Sequence, residues 1–187
     1  MAKRILLLAS GTGSLAAAIL EAHSTGAITA DFVGLISDKD SPALAVARRY
    51  ELPAFHLPML PDRASWDKEI FACAAALEPD LVVSVGFMRI LSPDFVSAFK
   101  VINTHPSLLP LFPGAHAVRD ALTAAVQVTG TTVHWVDAGL DTGSVITQRQ
   151  VEVQPEDDES TLHERIKIAE RALIVETLAG FGRTGSL

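Results

Sequence analysis

Cysteine and long apolar runs are scarce in this chain of 187 residues. The single cysteine, Cys73, excludes an internal disulfide framework. Cys73 lies in the apolar run 70–77, which indicates a buried helical thiol and not a nucleophile. No stretch approaches the roughly 20 apolar residues that a membrane-spanning helix requires, so we expect no membrane as a partner.

A secretory signal is also missing from the N-terminal region. Lys3 and Arg4 precede a short apolar run that ends at Ala9, where Ser10 and Gly11 interrupt it. A signal peptide would continue for about 7 to 15 apolar residues. The run therefore predicts a first strand, and we expect a cytoplasmic protein.

Excess basic charge is absent as well. The formal net charge of -7 argues against nucleic acid as a partner, because such binding normally needs a basic face that neutralises phosphates. A small anion can still be bound locally. The apolar share of 49% is typical of a packed globule, and the length fits one domain, 1–187, whose residues 182–187 we expect to form a frayed tail.

Apolar runs of strand length alternate with helical patterns along the chain. The alternation predicts an α/β fold, with a Rossmann-like, open and mostly parallel sheet covered by helices on both faces. The strand-like runs are 4–9, 31–37, 80–85, 101–103 and 131–136.

Capping residues mark the expected helix starts. Ser41 and Ser92 each precede a proline, which is favoured at the first helical position. Asp62 or Ser65 is expected to open a helix that runs to residue 77. The last long helix is expected to start near Ser160 and Thr161, with Thr161 and Glu164 at capping-box spacing, and to bury Leu162, Ile166, Ala169, Leu173 and Leu178.

A glycine-rich loop follows the first predicted strand. Residues 11–15 lie before a helix-forming run, so their backbone N–H groups and the positive helix end can hold an anion. Residues 11–16 also satisfy the dinucleotide fingerprint G-x-G-x-x-G/A, and Asp38 could then hold a ribose hydroxyl. Taken alone, the loop leaves a dinucleotide, another phosphate or an unliganded turn open.

Polar residues at the end of a later strand point to acyl transfer. Asn103 and His105 are two residues apart, so they project to the same side of the sheet at its carboxyl edge, where α/β proteins bind ligands. An amide and an imidazole directed at one point suit a carbonyl oxygen that becomes negative. Asp141, in a turn between two glycines, is the candidate proton acceptor.

Ordinary structural roles remain open for the same residues. Asn103 could cap a turn, His105 could be an unremarkable strand-end histidine, and Asp141 could be a turn residue. A metal site lacks support because His105, His116 and His134 have no close ligand spacing. A serine hydrolase lacks support because no G-x-S-x-G elbow occurs.

Five motifs occur in order: Ser-Gly-Thr-Gly-Ser at 10–14, Gly-Phe-Met-Arg-Ile-Leu at 86–91, Asn-Thr-His-Pro-Ser-Leu-Leu-Pro at 103–110, Phe-Pro-Gly at 112–114 and Gly-Leu-Asp-Thr-Gly at 139–143. Together they resemble the phosphoribosylglycinamide formyltransferases, and the likeness runs from residue 4 to about residue 179. The third motif, with its downstream aspartate, is specific to folate-dependent formyltransferases. The glycine loop narrows the likeness to enzymes whose substrate carries a phosphate.

The resemblance implies formyl transfer from 10-formyltetrahydrofolate to the amine of phosphoribosylglycinamide, a step of purine synthesis, with Asn103, His105 and Asp141 as catalytic residues. It assigns the substrate phosphate and ribose to Gly11, Thr12, Gly13, Ser14, Leu15, Lys167 and Glu170. It assigns the folate to Arg63, Met88, Arg89, Ile90, Leu91, Asn103, Val136, Asp137, Ala138, Gly139, Leu140 and Asp141. The family often has asparagine at the position of Leu15, so phosphate binding is expected to rely on Ser14 and on backbone N–H groups.

Related activities fit the sequence less well. Methionyl-tRNA formyltransferase is disfavoured because the chain is acidic and too short for a further nucleic-acid-binding domain. Formyltetrahydrofolate hydrolases resemble this chain but carry a domain before the first strand. A dinucleotide-binding oxidoreductase is the alternative from another class. We expect two small-molecule substrates, no metal, and a monomer or homodimer.

Overall fold

The computed structural model describes residues 2–187, which form one seven-stranded sheet with helices on both faces. The strands are β1 (Arg4–Leu8), β2 (Asp31–Ser37), β3 (Ala54–His56), β4 (Leu81–Ser84), β5 (Val101–His105), β6 (Val128–Trp135) and β7 (Val145–Glu152). The helices are α1 (Ser14–Ser24), α2 (Pro42–Arg49), α3 (Arg63–Ala76), α4 (Pro93–Ala98), α5 (Ala117–Thr123) and α6 (Glu159–Thr184). Within residues 2–187, no helix is both long enough and apolar enough to cross a bilayer.

The sheet is mostly parallel, as predicted. Its order is β3-β2-β1-β4-β5-β6-β7, with parallel pairing from β3 to β5 and antiparallel pairing of β5 with β6 and of β6 with β7. Because β1, β4 and β5 are adjacent and parallel, their carboxyl ends share one edge of the sheet. The loops that follow them therefore lie side by side.

β1 shows how the two faces of the sheet are buried. Ile5 and Leu7 join a core with residues of α1, α2 and α6, whereas Leu6 and Leu8 join a second core with residues of α3 and α4. Successive side chains of a strand point to opposite faces. A strand covered on both faces must be apolar throughout, which explains its unbroken apolar sequence.

Local sequence signals predicted several element boundaries. Asp62 caps α3, because its carboxylate accepts hydrogen bonds from the N–H groups of Ala64 (3.3 Å) and Ser65 (3.0 Å). Ser92 caps α4 by accepting from the N–H of Phe95 at 3.3 Å. Ser41 precedes α2 as predicted, but its hydroxyl lies 3.0 Å from the hydroxyl of Ser37 and does not cap the helix.

Both ends of α6 differ from the prediction. The N-cap is Asp158, which accepts from the N–H of Thr161 at 2.8 Å while the hydroxyl of Thr161 accepts from the N–H of Asp158 at 3.0 Å. Thr161 is thus the third helical residue and not the cap. The helix includes residues 182–184 of the expected tail: Phe181 is buried, and Gly185 (φ 73°) ends the helix with a hydrogen bond from its N–H to the carbonyl of Phe181 at 2.7 Å.

Two strands, one helical side chain and the thiol also differ from the expectations. β3 and β7 had no predicted boundaries: β3 has only three residues, and β7 is a partly exposed edge strand without an apolar run. Ala169 of α6 is only partly buried. Cys73 is helical but half-buried, and burial raises the pKa of its thiol.

Gly130 of β6 allows a close approach of β7. A Cβ atom at this position would overlap the carbonyl oxygen of Arg149 and lie 2.7 Å from Cδ2 of Leu108. We expect Gly130→Ala to lower the free energy of unfolding, measured by urea denaturation, by about 2 kcal/mol or more. The control Gly180→Ala has open space in α6 and should gain about 0.5 to 1 kcal/mol. Equal stabilities of the two variants would contradict this packing.

Candidate active site

Asn103, His105 and Asp141 come together although they lie on different elements. Asn103 and His105 lie on β5, and Asp141 lies in the connection between β6 and β7. This connection starts beside the first residue of β5, since the N–H of Val136 donates to the carbonyl of Val101 at 2.8 Å. It then folds back toward the far end of β5, where Oδ2 of Asp141 lies 3.4 Å from Nδ1 of His105.

The loop 137–143 folds tightly because of its glycines and one carboxylate. A Cβ atom at Gly143 would overlap the carbonyl oxygen of Trp135, and one at Gly139 would overlap the hydroxyl of Thr142. Asp137 accepts hydrogen bonds from the N–H of Gly139 (2.9 Å) and the hydroxyl of Thr142 (2.7 Å). These contacts hold the turn that presents Asp141.

The carboxylate of Asp141 is largely buried among three groups. Its side chain is 11% exposed, and Oδ2 accepts a hydrogen bond from the N–H of Gly114 at 2.8 Å. Oδ1 lies 3.6 Å from Nε2 of His134. Asp141 adopts a φ of 54°, which is unfavourable for a residue with a side chain. The surrounding contacts therefore hold this residue in place.

His105 is buried, and both of its ring nitrogens face oxygen atoms. Nε2 donates to the carbonyl of Phe112 at 2.8 Å, and Nδ1 faces Asp141. The sequence predicted that His105 faces the site together with Asn103. It gave no sign of the Phe112 carbonyl, because that contact depends on the fold of the loop after β5.

His134 completes the cluster, although sequence reasoning considered it only as an unsupported metal ligand. It lies opposite Asn103 in the antiparallel pairing of β5 and β6, with Nε2 3.4 Å from Nδ2 of Asn103. Nδ1 donates to the carbonyl of Trp135 at 2.8 Å. Burial and the neighbouring charge of His105 lower the pKa of His134, so its neutral ring offers the Nε2 lone pair to the Asn103 amide.

The glycine loop leaves a helix end open to an anion. Gly13 has a φ of 74° and precedes α1 without a side-chain cap, so the first N–H groups of the helix are available. A Cβ atom at Gly13 would lie 2.7 Å from Cα of Ala43, so only glycine fits there. Gly11, Thr12 and Ser14 are exposed. The side chain of Leu15 is buried in the core, so residue 15 can offer an anion only its backbone N–H.

Asp38 is not free to bind a ribose. Its buried carboxylate accepts hydrogen bonds from the hydroxyl of Ser10 and, at 2.6 Å, from Nε of Arg89. Both of its oxygens are thus used inside the protein. The dinucleotide alternative loses the acidic residue on which the fingerprint relied.

The residues expected to meet the folate divide into two groups. Met88, Ile90 and Leu140 expose apolar surface, with 69%, 61% and 56% of each residue accessible. Asp137, Ala138 and Gly139 are exposed in the neighbouring loop. The other members are buried or bound to other parts of the protein: Leu91 is buried, Val136 is partly buried, Arg89 pairs with Asp38, and the exposed Arg63 donates to the carbonyl of Ile90 and to Asp67.

Two residues of α6 were expected to meet the ribotide. Glu170 lies close to Thr104 and His105; burial raises the pKa of its carboxyl group, against the opposing effects of Thr104 and the charge of His105. Lys167 lies one turn away, and its ammonium group pairs with Glu164 at 2.7 Å. Glu170 therefore belongs to the cluster around β5. Within residues 2–187, no group of three or more His, Cys, Asp or Glu side chains is arranged to hold a metal ion.

Known proteins are similar to this chain in sequence and in fold. The family model described as formyl transferase matches residues 3–178. A phosphoribosylglycinamide formyltransferase of Mycobacterium tuberculosis is 50% identical over 186 residues, which cover 97% of this chain and 86% of the relative. A trifunctional purine biosynthetic protein of Drosophila melanogaster is 39% identical over 184 residues, which cover 95% of this chain and 14% of the relative.

A solved structure agrees with these sequence relatives. The glycinamide ribonucleotide transformylase 1 of Symbiobacterium toebii superposes with a TM-score of 0.93 at 37% sequence identity, covering 97% of this chain and 88% of that one. The fold, the family model and the relatives all give the same assignment. The chain belongs to the phosphoribosylglycinamide formyltransferases, a family of transferases.

Proposed function

We propose that this protein transfers the formyl group of 10-formyltetrahydrofolate to the amine of phosphoribosylglycinamide. The products are tetrahydrofolate and phosphoribosyl-N-formylglycinamide, in purine synthesis. The observation that carries the proposal is the convergence of Asn103, His105 and Asp141 at the sheet edge that also bears an uncapped glycine loop. Family membership and the purine biosynthetic relative support it.

Asn103 supplies a hydrogen-bond donor to the reacting carbonyl. The amine attacks the formyl carbon, and the carbonyl oxygen becomes negative in the tetrahedral intermediate. One N–H of the Asn103 amide is directed at Nε2 of His134, which leaves the second N–H for the oxyanion. A donor held in this way before the reaction stabilises the developing charge without reorganisation.

His105 supplies positive charge beside the same oxygen. When the ring is an imidazolium, both of its N–H groups face an acceptor: the carbonyl of Phe112 lies at Nε2 and the carboxylate of Asp141 at Nδ1. Nε2 donates directly to the oxyanion when that oxygen replaces the carbonyl of Phe112. The carboxylate of Asp141 lies 3.4 Å from Nδ1 and faces this charge.

Proton transfer completes the reaction. The bond from the amine nitrogen to the formyl carbon forms, and the bond from that carbon to the folate nitrogen breaks. The amine gives up one proton and the departing folate nitrogen takes one up, with Asp141 assisting the transfer through water. The sequence of steps requires no metal and no covalent enzyme intermediate.

The ribotide spans the carboxyl edge of the sheet. Its phosphate binds the N–H groups of residues 11–15 and the hydroxyl of Ser14, while Glu170 receives ribose hydroxyls and Lys167 adds positive charge. Neighbouring strands are about 4.8 Å apart, so β1 and β5, with β4 between them, lie roughly 10 Å apart. That separation suits a ribose that carries phosphate at one end and glycinamide at the other.

The folate binds on the other side of the reacting carbonyl. The apolar surface of Met88, Ile90 and Leu140 fits a flat pterin ring, and backbone groups of residues 88–91 and 136–141 are available for its polar edge. Both substrates are small water-soluble molecules, which is consistent with a cytoplasmic enzyme, whether monomer or homodimer.

A spectrophotometric assay tests the proposed reaction. Purified protein with phosphoribosylglycinamide and 10-formyltetrahydrofolate is expected to release tetrahydrofolate at a rate that depends on both compounds. Without the ribotide the release should stop. Equal release with and without it identifies a hydrolase instead, and saturable binding of a reduced nicotinamide cofactor, followed by its fluorescence, favours the oxidoreductase alternative.

Substitutions at the catalytic cluster should reduce turnover without unfolding the protein. We expect Asn103→Ala and His105→Ala to lower kcat by about 10² to 10³, because each removes one oxyanion-stabilising group. Asp141→Asn should lower kcat with little change in ribotide binding. The control His56→Ala changes an exposed histidine of β3 and should keep normal activity. Near-normal kcat in any of the three site variants refutes the role of that residue.

Glu170→Gln should weaken binding of the ribotide without lowering the stability of the fold. Burial raises the pKa of Glu170 in the folded protein above its unfolded value near 4.5, so the folded state binds the proton more tightly. The resulting gain in the free energy of unfolding is fully present below pH 4.5 and is lost as the pH rises through the folded pKa. Glutamine does not ionise, so the variant should equal or exceed the wild type in urea stability at pH 7.5. Its KM for the ribotide should rise. A clear loss of stability at pH 7.5 contradicts this account.

A further inference from the structure

We propose that Asp38 and Ser10 are positioning residues for the folate substrate. They hold the segment 86–91, called here the folate loop, in its binding shape without touching either substrate. The inference rests on the proposed function, because that function makes the folate loop a binding surface. It assigns a task to a buried carboxylate that formyl transfer itself does not use.

Asp38 joins two loops through one buried carboxylate. It follows β2, and its side chain has no solvent exposure. One carboxylate oxygen accepts from the hydroxyl of Ser10, and the other accepts from Nε of Arg89 at 2.6 Å. A charge removed from water must be paired, so the position of Arg89 is tied to that of Asp38.

Ser10 holds the backbone of the folate loop at two further points. Its hydroxyl donates to Asp38 and accepts from the N–H of Met88 at 2.9 Å, and its own N–H donates to the carbonyl of Gly86 at 3.1 Å. Gly86 has a φ of 74°, which lets the chain bend directly after β4. Main-chain and side-chain bonds together fix the first half of the loop.

The inward direction of Arg89 decides which side chains face the substrate. Met88 and Ile90 flank Arg89 and are exposed, whereas Phe87 and Leu91 are buried. Side chains thus alternate along residues 87–91, with Phe87, Arg89 and Leu91 directed inward. Holding Arg89 against Asp38 therefore presents Met88 and Ile90 together as one apolar surface.

The far side of the folate loop has a separate support. Arg63 donates to the carbonyl of Ile90 and lies 5.1 Å from the ring centroid of Trp66. Trp66 stacks on Phe87, with ring centroids 6.4 Å apart, and donates from Nε1 to the carbonyl of Leu57 at 3.0 Å. Loss of Asp38 should therefore displace one side of the loop without detaching it, and Trp66 reports the displacement.

The isosteric variant Asp38→Asn removes the negative charge and one of the two acceptor oxygens that bind Ser10 and Arg89. An asparagine has only one acceptor oxygen, so its amide N–H₂ must face either the hydroxyl of Ser10 or the guanidinium of Arg89. We expect the KM for 10-formyltetrahydrofolate to rise about tenfold, as for the loss of one charge-assisted hydrogen bond. The kcat and the KM for the ribotide should change less than twofold. Asp40→Asn, at an exposed aspartate two residues away, is the matched control.

Tryptophan emission and a second variant test the inference further. Without any substrate, Asp38→Asn should shift the tryptophan emission, Asp40→Asn should not, and Trp66→Phe should remove the shift; this readout holds even when the wild type shows no formyl transfer. Should Asp38→Asn fail to fold, Ser10→Ala takes its place with the same expected pattern. An unchanged folate KM, or equal rises in both KM values with a fall in kcat, overturns the inference.

Discussion

Hydrogen bonding of β1 to β2 on one side and to β4 on the other fixes where the candidate site residues lie. β1 is buried on both faces, so its position in the sheet is determined by packing against helices from both directions. The glycine loop leaves its carboxyl end, Asp38 follows β2, and the folate loop follows β4. Because these strands are parallel, one edge collects all three segments, and β5 adds Asn103 and His105 beside them.

Two aspartates near the proposed binding sites of the anionic substrates are paired with groups of the protein. Asp38 is paired with Arg89, and Asp141 lies between two histidines and a backbone N–H. At the glycine loop, helix and backbone dipoles supply the attraction for a phosphate. Local arrangement, and not net charge, decides the electrostatics of this edge.

The features that could be predicted from the sequence depend on interactions between residues close together in the chain. β1 and β2 were predictable from apolar runs, and Asp62 and Ser92 from capping within four residues. The two-residue spacing of Asn103 and His105 likewise needs only strand geometry. The residues alone suggested donor roles for Asn103 and His105 and a proton-acceptor role for Asp141, and the resemblance to known enzymes supplied the identity of the substrates.

The remaining features depend on pairing between distant segments. His134 lies beside Asn103 only because β6 pairs with β5 in one antiparallel register. The contact of Phe112 with His105, the partners of Asp38 and the packing of Phe181 likewise join residues far apart in sequence or in irregular loops. No periodicity within a short window encodes such contacts.

The antiparallel pair of β6 and β7 completes the candidate site at the carboxyl edge of the sheet. The segments that follow β1, β4 and β5 include the glycine loop, the folate loop and two of the three proposed reactive side chains, whereas the third lies in the loop that joins β6 to β7. A chain in which this hairpin has not docked lacks the Asp141 carboxylate, the Leu140 part of the proposed folate surface and the His134 partner of Asn103. All three proposed reactive side chains therefore come together only in the fully assembled sheet.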